Sequence, residues 1–306
     1  MWFSRKHKAP ERAPPSGSGP APLNGRYRLG GQLGEGAVSQ VVEAGDMRTG
    51  ATVAVKLISL PPDQSPVQRK EWSTRLRREI ALARRLNHPD IVHLLDAGIE
   101  SGLVWMVMER VRGADLARYT QPQRRLPDNL VVQIGARVAA ALAHAHAHGV
   151  VHRDLKPANV LVNLAAGQVK LADFGVARVD DAEATRTGMT LGTPAYMAPE
   201  QLAGQPATPA SDAYALGVML FELFAGRRPH EAANLGELLR ATASQPPAAL
   251  SALRPDLPPS VTGAVHQLLA HDPADRPGDL AAWAERAAAL AAVMTRVLAP
   301  SGSASQ

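Results

Sequence analysis

The chain has 306 residues, 45% of them hydrophobic, and a formal net charge of +5. A length above about 250 residues favours two cores over one. There is no cysteine, which excludes disulfides, thiolate zinc sites and thiol redox switching and suits a reducing compartment.

The N-terminal MWFSRKHK is basic, but no apolar stretch follows it, so it does not read as a secretory leader. Trp2 stands where myristoylation needs glycine. Residues 9–22, APERAPPSGSGPAP, are Pro/Gly/Ser-rich, and 1–26 are expected to form a disordered arm. Short β-like runs follow at 27–33, 40–44 and 52–60, with Thr49 and Gly50 in the turn between the last two. A charged helical segment over 67–86 ends at the Asn87-His88-Pro89 breaker. Strands at 92–98 and 103–109 complete a small sheet-rich lobe. The helix carries Arg75, Arg77, Arg78, Arg84 and Arg85. Basic residues elsewhere are scattered among acids and aromatics are only 4%, so this is read as a solvated face and no nucleic-acid partner is expected.

After Gly113 the periodicity turns helical. Leu130, Ile134, Val138 and Leu142 recur at helical spacing until Gly149. Residues 211–225 are apolar nearly all round and belong in the middle of a large domain. Helical segments over 235–242, 261–269 and 280–298 follow. The last comes closest to a membrane span, but Glu285, Arg286 and Arg296 interrupt it. No run reaches the roughly 18 apolar residues a bilayer requires, so no transmembrane segment is expected. His144, His146 and His148 alternate along one helix; residues two apart face different sides, so they read as helix-surface histidines and not as metal ligands.

Residues 150–175 read VVHRDLKPANVLVNLAAGQVKLADFG. They place Asp154 five residues before Asn159 and a second acid, Asp173, on a later loop. Hard oxygen donors on two adjacent loops can hold magnesium against a triphosphate and orient a hydroxyl beside it. Phosphoryl transfer needs these parts, because it is mostly positioning and charge neutralisation. The run from His152 to Val160, followed by Asp173-Phe174-Gly175, resembles the HRDxxxxN and DFG signature of protein kinases.

The resemblance extends over residues 27 to about 290 and implies an α+β, bilobal protein-kinase-like fold. It has a β-rich N-lobe with one long helix (27–112), a larger helical C-lobe (113–298) and a flexible tail (299–306). It implies Asp154 as the group that accepts or orients the hydroxyl proton, Lys156 beside the transferred phosphate, and Asn159 and Asp173 as metal ligands. Gly34 and Gly36 match the glycine-rich loop; alone, a GxG is a common hairpin turn, and Ser39 departs from the pattern at the third glycine position. Lys56, in VAVK, matches the phosphate-binding lysine, and Glu79 the helical glutamate expected to pair with it. Leu33, Val41, Ala54 and Leu161 match the adenine-pocket walls, Met108 the gatekeeper, and Glu109 and Val111 the hinge.

Lys156 in HRDLKPAN and Thr193 in GTPAYMAPE are similar to serine/threonine kinases, and the phrases DLKPANVLV and YMAPEQL resemble the bacterial Hanks-type branch. By the same resemblance Glu200 pairs with Arg276, Asp212 anchors the catalytic loop, and Arg153 receives phosphate on the activation segment, where Thr185, Thr187 and Thr190 are the acceptors. The implied function is ATP-dependent phosphorylation of serine and threonine on protein substrates. Mg²⁺ is the implied metal, with Mn²⁺ able to substitute. A transient homodimer for trans-autophosphorylation and a bacterial cytoplasmic location complete the expectation. Two alternatives stand beside it. One is a pseudokinase used as an ATP-binding scaffold, which loss of the lysine or a key aspartate would mark. The other is a small-molecule kinase, whose relatives usually lack the segment ending in Ala198-Pro199-Glu200.

Overall fold

The computed structural model describes residues 21–36, 39–59, 65–100, 102–174 and 194–298. The expected arm up to residue 20 and the tail 299–306 lie outside these. The N-lobe is an antiparallel sheet of β1 (Tyr27–Glu35), β2 (Ser39–Asp46), β3 (Thr52–Ser59), β4 (Leu94–Glu100) and β5 (Leu103–Glu109), in the order β1-β2-β3-β5-β4. Strand period decides what each side receives. Val53 and Val55 of β3 join Tyr27, Val42, Trp105 and Val107 in a cluster on one face. Ala54, Lys56 and Ile58 therefore point to the other, where Ile58 packs with Val104 and Met106. The chain enters β1 through a turn at Asn24 and Gly25, both with positive φ, and Arg26 at its end binds Asp46 through two bonds of 2.8 and 2.7 Å.

Helix α1 (Pro66–Ala83) starts at a capping box: Ser65 accepts from the Gln68 N–H, and Gln68 accepts from the Ser65 N–H. Trp72, Leu76 and Ile80, four residues apart, bury one stripe against the sheet. The neighbour of Ile80, Glu79, is thereby turned to the cleft edge. The helix stops three residues short of the expected Leu86. Leu86 is buried in the C-lobe core instead, and the chain must leave the helical path to put it there.

The C-lobe is built on α2 (Asp128–Ala147), which packs against both α4 (Pro209–Ala225) and α8 (Leu280–Leu298). Between α2 and α4 comes α3 (Pro199–Leu202); α5 (Leu235–Ser244), α6 (Leu250–Leu253) and α7 (Pro259–Leu268) separate α4 from α8. α2 is the one described helix long and apolar enough to span a bilayer, with mean hydropathy 1.2. By sequence alone 280–298 comes closest to such a span, interrupted by Glu285, Arg286 and Arg296. α2 is instead the central core helix, its Ile134, Val138 and Leu142 buried between neighbours. Near the cleft, β6 (Ala114–Asp115), β7 (Val160–Asn163) and β8 (Gln168–Leu171) form a small sheet that periodicity did not announce. Strands of two and four residues are too short to show it.

The lobes are stitched at β8. Val92 N–H donates to the Leu171 carbonyl (2.9 Å) and Leu171 N–H to that of Asp90 (2.7 Å). Lys170 bridges the same junction, donating to Glu109 (2.6 Å) and to the Ile91 carbonyl (3.2 Å). Buried Asp90 accepts from Arg137 Nε at 2.9 Å.

Two helical glycines separate packing from propensity. A Cβ on Gly217 of α4 would lie 2.8 Å from Leu268 Cβ, whereas at exposed Gly263 of α7 it would meet nothing within 4 Å. Both gain helix propensity as alanine. Gly263→Ala should stabilise by about 0.5–1 kcal/mol and Gly217→Ala should destabilise by roughly 1–3 kcal/mol through overpacking, read as opposite shifts of the urea midpoint.

Candidate active site

The catalytic loop is shaped from beneath by one carboxylate. Asp212 projects from the first turn of α4 and is 2% exposed. Its Oδ2 accepts the N–H of His152 (2.8 Å), its Oδ1 that of Arg153 (2.9 Å), and His146 Nε2 lies 2.7 Å from Oδ2. This fits the anchoring role expected of Asp212 and corrects the reading of His146, which is a partner of this carboxylate and not a surface histidine. Each bond to a charged group is worth about 1.5–3 kcal/mol. Together they outweigh the roughly 1–2 kcal/mol of placing Arg153 in the left-handed region, where its φ is 67°. His152 is fully buried. Its Nε2–H donates to the Ala172 carbonyl (2.9 Å) and its Nδ1 accepts from the Asp154 N–H (3.3 Å). One ring thus ties the loop of Asp154 to that of Asp173.

Asp154, Lys156 and Asn159 converge. Lys156 Nζ is 2.9 Å from Asp154 Oδ2, and Asn159 Nδ2 donates to the Asp154 carbonyl at 2.7 Å. The second bond fixes the Asn159 amide, so its oxygen is the end left for a cation. Lys56 reaches across the cleft to Asp173, Nζ to Oδ1 2.7 Å, with the lysine side chain only 12% exposed. Asp173 also has a left-handed backbone, φ 59°.

The expected pairing of Lys56 with Glu79 is not the one found. Glu79 Oε1 accepts from Arg153 Nη1 at 2.9 Å, and Lys56 has turned to Asp173. The physical reason is local. Lys56 and Asp173 meet at 2.7 Å, and Arg153 reaches Glu79 at 2.9 Å, so each acid is matched by the cation nearest to it.

The nucleotide cleft has an open volume of about 410 Å³. Leu33, Gly34, Val41, Ala54, Met108, Glu109, Val111, Leu161 and Asp173, all singled out from sequence, line it. Gly36 does not line it; its N–H donates to the Ser39 carbonyl at 2.7 Å, closing the loop behind the tip. Ser39 in the third glycine position thus serves this turn. Among the described residues, no carbonyl accepts the Val111 N–H, which leaves a donor at the pocket edge. Asp115, Arg118, Ala158 and Ala172 also line the cleft and were missed. They sit in short irregular segments with no period to place them. Lys56 faces an adjoining apolar recess with Met106, Met108 and Phe174.

Glu200 and Arg276 pair as expected, in two bonds of 2.8 and 2.9 Å, with the arginine side chain fully buried. Burial opposes ionisation of Glu200, but bonds from Arg276 and Ser211 hold its carboxyl below the usual range. Tyr196 bonds Glu222 beside the catalytic loop, a pair the sequence gave no cue for; burial raises both groups above their ordinary pKa. Thr185, Thr187, Thr190 and Thr193 lie outside the described residues.

Removing one partner of the Glu200–Arg276 pair strands a buried charge. Arg276→Met should cost about 3–5 kcal/mol, measured by chemical denaturation. Burial also pushes His152 below the ordinary histidine range. A depressed histidine pKa supports folding above the unfolded value of about 6.5, and that support is lost as pH falls below it. His88, His144, His230 and His266 are depressed too, so the urea midpoint should fall between pH 7 and 5. The His152 ring itself should take up its proton at a lower pH than an exposed histidine does, followed by its carbon-13 shift.

The protein kinase domain family matches residues 27–288. Serine/threonine-protein kinase PknA of Mycobacterium tuberculosis is 39% identical over 260 residues, covering 83% of this chain and 58% of the relative. Serine/threonine-protein kinase PkaA of Streptomyces coelicolor is 37% identical over 272 residues, covering 84% and 48%. The crystal structure of the Mycobacterium tuberculosis PknI kinase domain is similar with a TM-score of 0.66 and 32% identity, covering 85% of this chain and 94% of that one. The chain spans about half the length of the curated relatives it matches. The order of elements, the anchored catalytic loop and these matches agree: the chain belongs to the protein kinase family.

Proposed function

We propose that the chain is an ATP-dependent serine/threonine protein kinase. The observation that carries this reading is the 2.7 Å Lys56–Asp173 bond across the cleft, opposite a loop on which Asp154, Lys156 and Asn159 converge. Among the described residues no cluster of three His, Cys, Asp or Glu could hold a metal alone. The Asp173 carboxylate and Asn159 amide are two hard oxygen donors, which fits a small cation that takes its remaining ligands from phosphates and water. A divalent cation, Mg²⁺ with Mn²⁺ able to substitute, supplies charge neutralisation on those phosphates when bound.

The chain's own groups do the rest. Leu33, Val41, Ala54 and Leu161 sandwich the base, and Val111 N–H donates at its edge. Lys56 holds the phosphates in line. Asp154 orients the serine or threonine hydroxyl and takes its proton as the hydroxyl oxygen bonds the γ-phosphorus and the bond from that phosphorus to the β–γ bridging oxygen breaks, with ADP as the leaving group. Lys156 balances charge on the transferring group. The segment ending in Ala198-Pro199-Glu200 is pinned by Arg276, which favours a protein acceptor over a small molecule. Lys56, Glu79, Asp154, Asn159 and Asp173 are all present, so nothing favours the scaffold alternative.

Regulation follows from the exchanged pairs. Phosphate on Thr185, Thr187 or Thr190 carries close to two negative charges at neutral pH and binds a guanidinium in paired hydrogen bonds. Added in trans by a second copy in a transient homodimer, that phosphate then competes with Glu79 for Arg153 and releases Glu79 towards Lys56. The bacterial relatives favour a cytoplasmic location.

Incubation with Mg²⁺ and ATP should add phosphate groups to the wild type by intact mass and none to Asp173→Ala. Asp154→Asn should lower the rate by at least about hundredfold. An unmodified wild type that binds ATP would overturn the reading. The double substitution Thr185→Ala, Thr187→Ala should lower activity towards an added peptide; an unchanged rate would remove the regulatory part alone.

A further inference from the structure

The loop that joins α1 to β4 is docked on the C-lobe. Leu86 and Ile91, both 2% exposed, plug it into the C-lobe core. Between them, two backbone amides are held by imidazole nitrogens. The Asn87 N–H donates to His144 Nε2 of α2 (3.3 Å), and the Asp90 N–H donates to His88 Nδ1 (3.1 Å). A ring nitrogen accepts only while it carries no proton, so both bonds require neutral rings. The His88 and His144 rings also lie against each other, with centroids 5.3 Å apart, and the His148 ring is 4.4 Å from that of His144. His148 Nδ1–H donates to the His144 carbonyl (2.8 Å), so its other nitrogen takes a proton without loss of that bond.

A proton on His88 or His144 turns the acceptor into a second N–H that faces the loop amide. Attraction becomes repulsion, beside a ring that is itself basic. His88 is faced by Asp90 on its own loop, Lys170 of β8 and Arg137 of α2; His144 is faced by His88 and His148. Asp90 is the one acid in this group, and its carboxylate is taken by Arg137. Burial is the main cause that holds both rings below the ordinary histidine range. The two bonds are therefore whole above the unfolded value of about 6.5 and are lost as pH falls through the lower values of the folded rings.

The last turn of α1 closes immediately before this loop, where the Arg85 and Leu86 amides donate to the Leu82 and Ala83 carbonyls (3.0 and 3.1 Å). The packing beside it is open: a narrow space lies between Leu82 and Ala83 on one side and Gly149, Val150 and Val151 after α2 on the other. We propose that the 87–90 loop is an acid-sensitive latch between the lobes: neutral His144 holds it on α2, neutral His88 holds its shape, and a proton on either ring frees an amide and loosens the end of α1. Since α1 carries Glu79, the partner of Arg153, the latch would set activity by pH; that consequence alone rests on the kinase reading.

Amide hydrogen exchange of the full chain tests the latch, expressed as protection factors so that the intrinsic pH dependence of exchange drops out. Between about pH 7.5 and 5, the Asn87, Asp90, Arg85 and Leu86 amides should lose protection by about threefold to tenfold, the worth of one hydrogen bond. Gly50 and Gly204, whose amides donate to peptide carbonyls in turns elsewhere, should keep theirs. The side-chain oxygen of asparagine stands where histidine Nδ1 does, that of glutamine where Nε2 does, and neither titrates. The double variant His88→Asn, His144→Gln should therefore stay protected at both pH values. His144→Phe, with a ring but no acceptor, should show the acid level of Asn87 exchange already at the higher pH. Unchanged protection at Asn87 and Asp90 in the wild type, an equal loss at Gly50 and Gly204, or a pH response that survives in the double variant would sink the latch. Peptide phosphorylation should fall more steeply on the acid side in the wild type than in the double variant. A chain inactive at every pH would defeat the kinase reading and leave the amide result to decide the latch.

Discussion

The catalytic loop exists in its observed shape because a buried aspartate beneath it needs hydrogen-bond donors. Asp212 sits in α4, a helix buried on nearly every side. A carboxylate there is tolerable only when its oxygens are satisfied. The N–H groups of His152 and Arg153 and the ring of His146 do so, and in doing so fix the path of the chain into Asp154. The strained backbone of Arg153 is the consequence, held by bonds that exceed its cost. The most hydrophobic helix of the C-lobe thereby positions its most polar loop.

The cleft above is governed by a choice among four charges. Lys56 and Arg153 are the cations; Asp173 and Glu79 are the anions. The arrangement found couples Lys56 to Asp173 and Arg153 to Glu79. Side chains between 12% and 38% exposed meet an intermediate dielectric, so the difference between the two pairings is a few kcal/mol at most. A cation beside Asp173, or phosphate near Arg153, is of the right size to shift it. The charge beneath the catalytic loop is buried and held by three partners, whereas the Lys56 and Arg153 pairs are partly exposed.

Much of this was legible beforehand. Lys56 in VAVK after the glycine-rich loop, and Glu79 on the helix that follows, were singled out by their match to the family pattern. Asp154, Asn159 and Asp173 could be read from spacing within one stretch of chain. What was not legible lacked a local signal. His146 looks like its neighbours His144 and His148 until α4 brings Asp212 beneath it. Leu86 reads as a helix end but is drawn into the other lobe's core. β6, β7 and β8 are shorter than any period needed to detect them.

The sequence by itself determined the five strands of the N-lobe and the long helices of both lobes, and its motifs, through the resemblance they carry, named the groups expected at the cleft, because periodicity and motif spacing act over a few residues. Only the tertiary structure decided which charge pairs with which. Ion pairing depends on distances between segments far apart in the chain, and no local pattern encodes those distances.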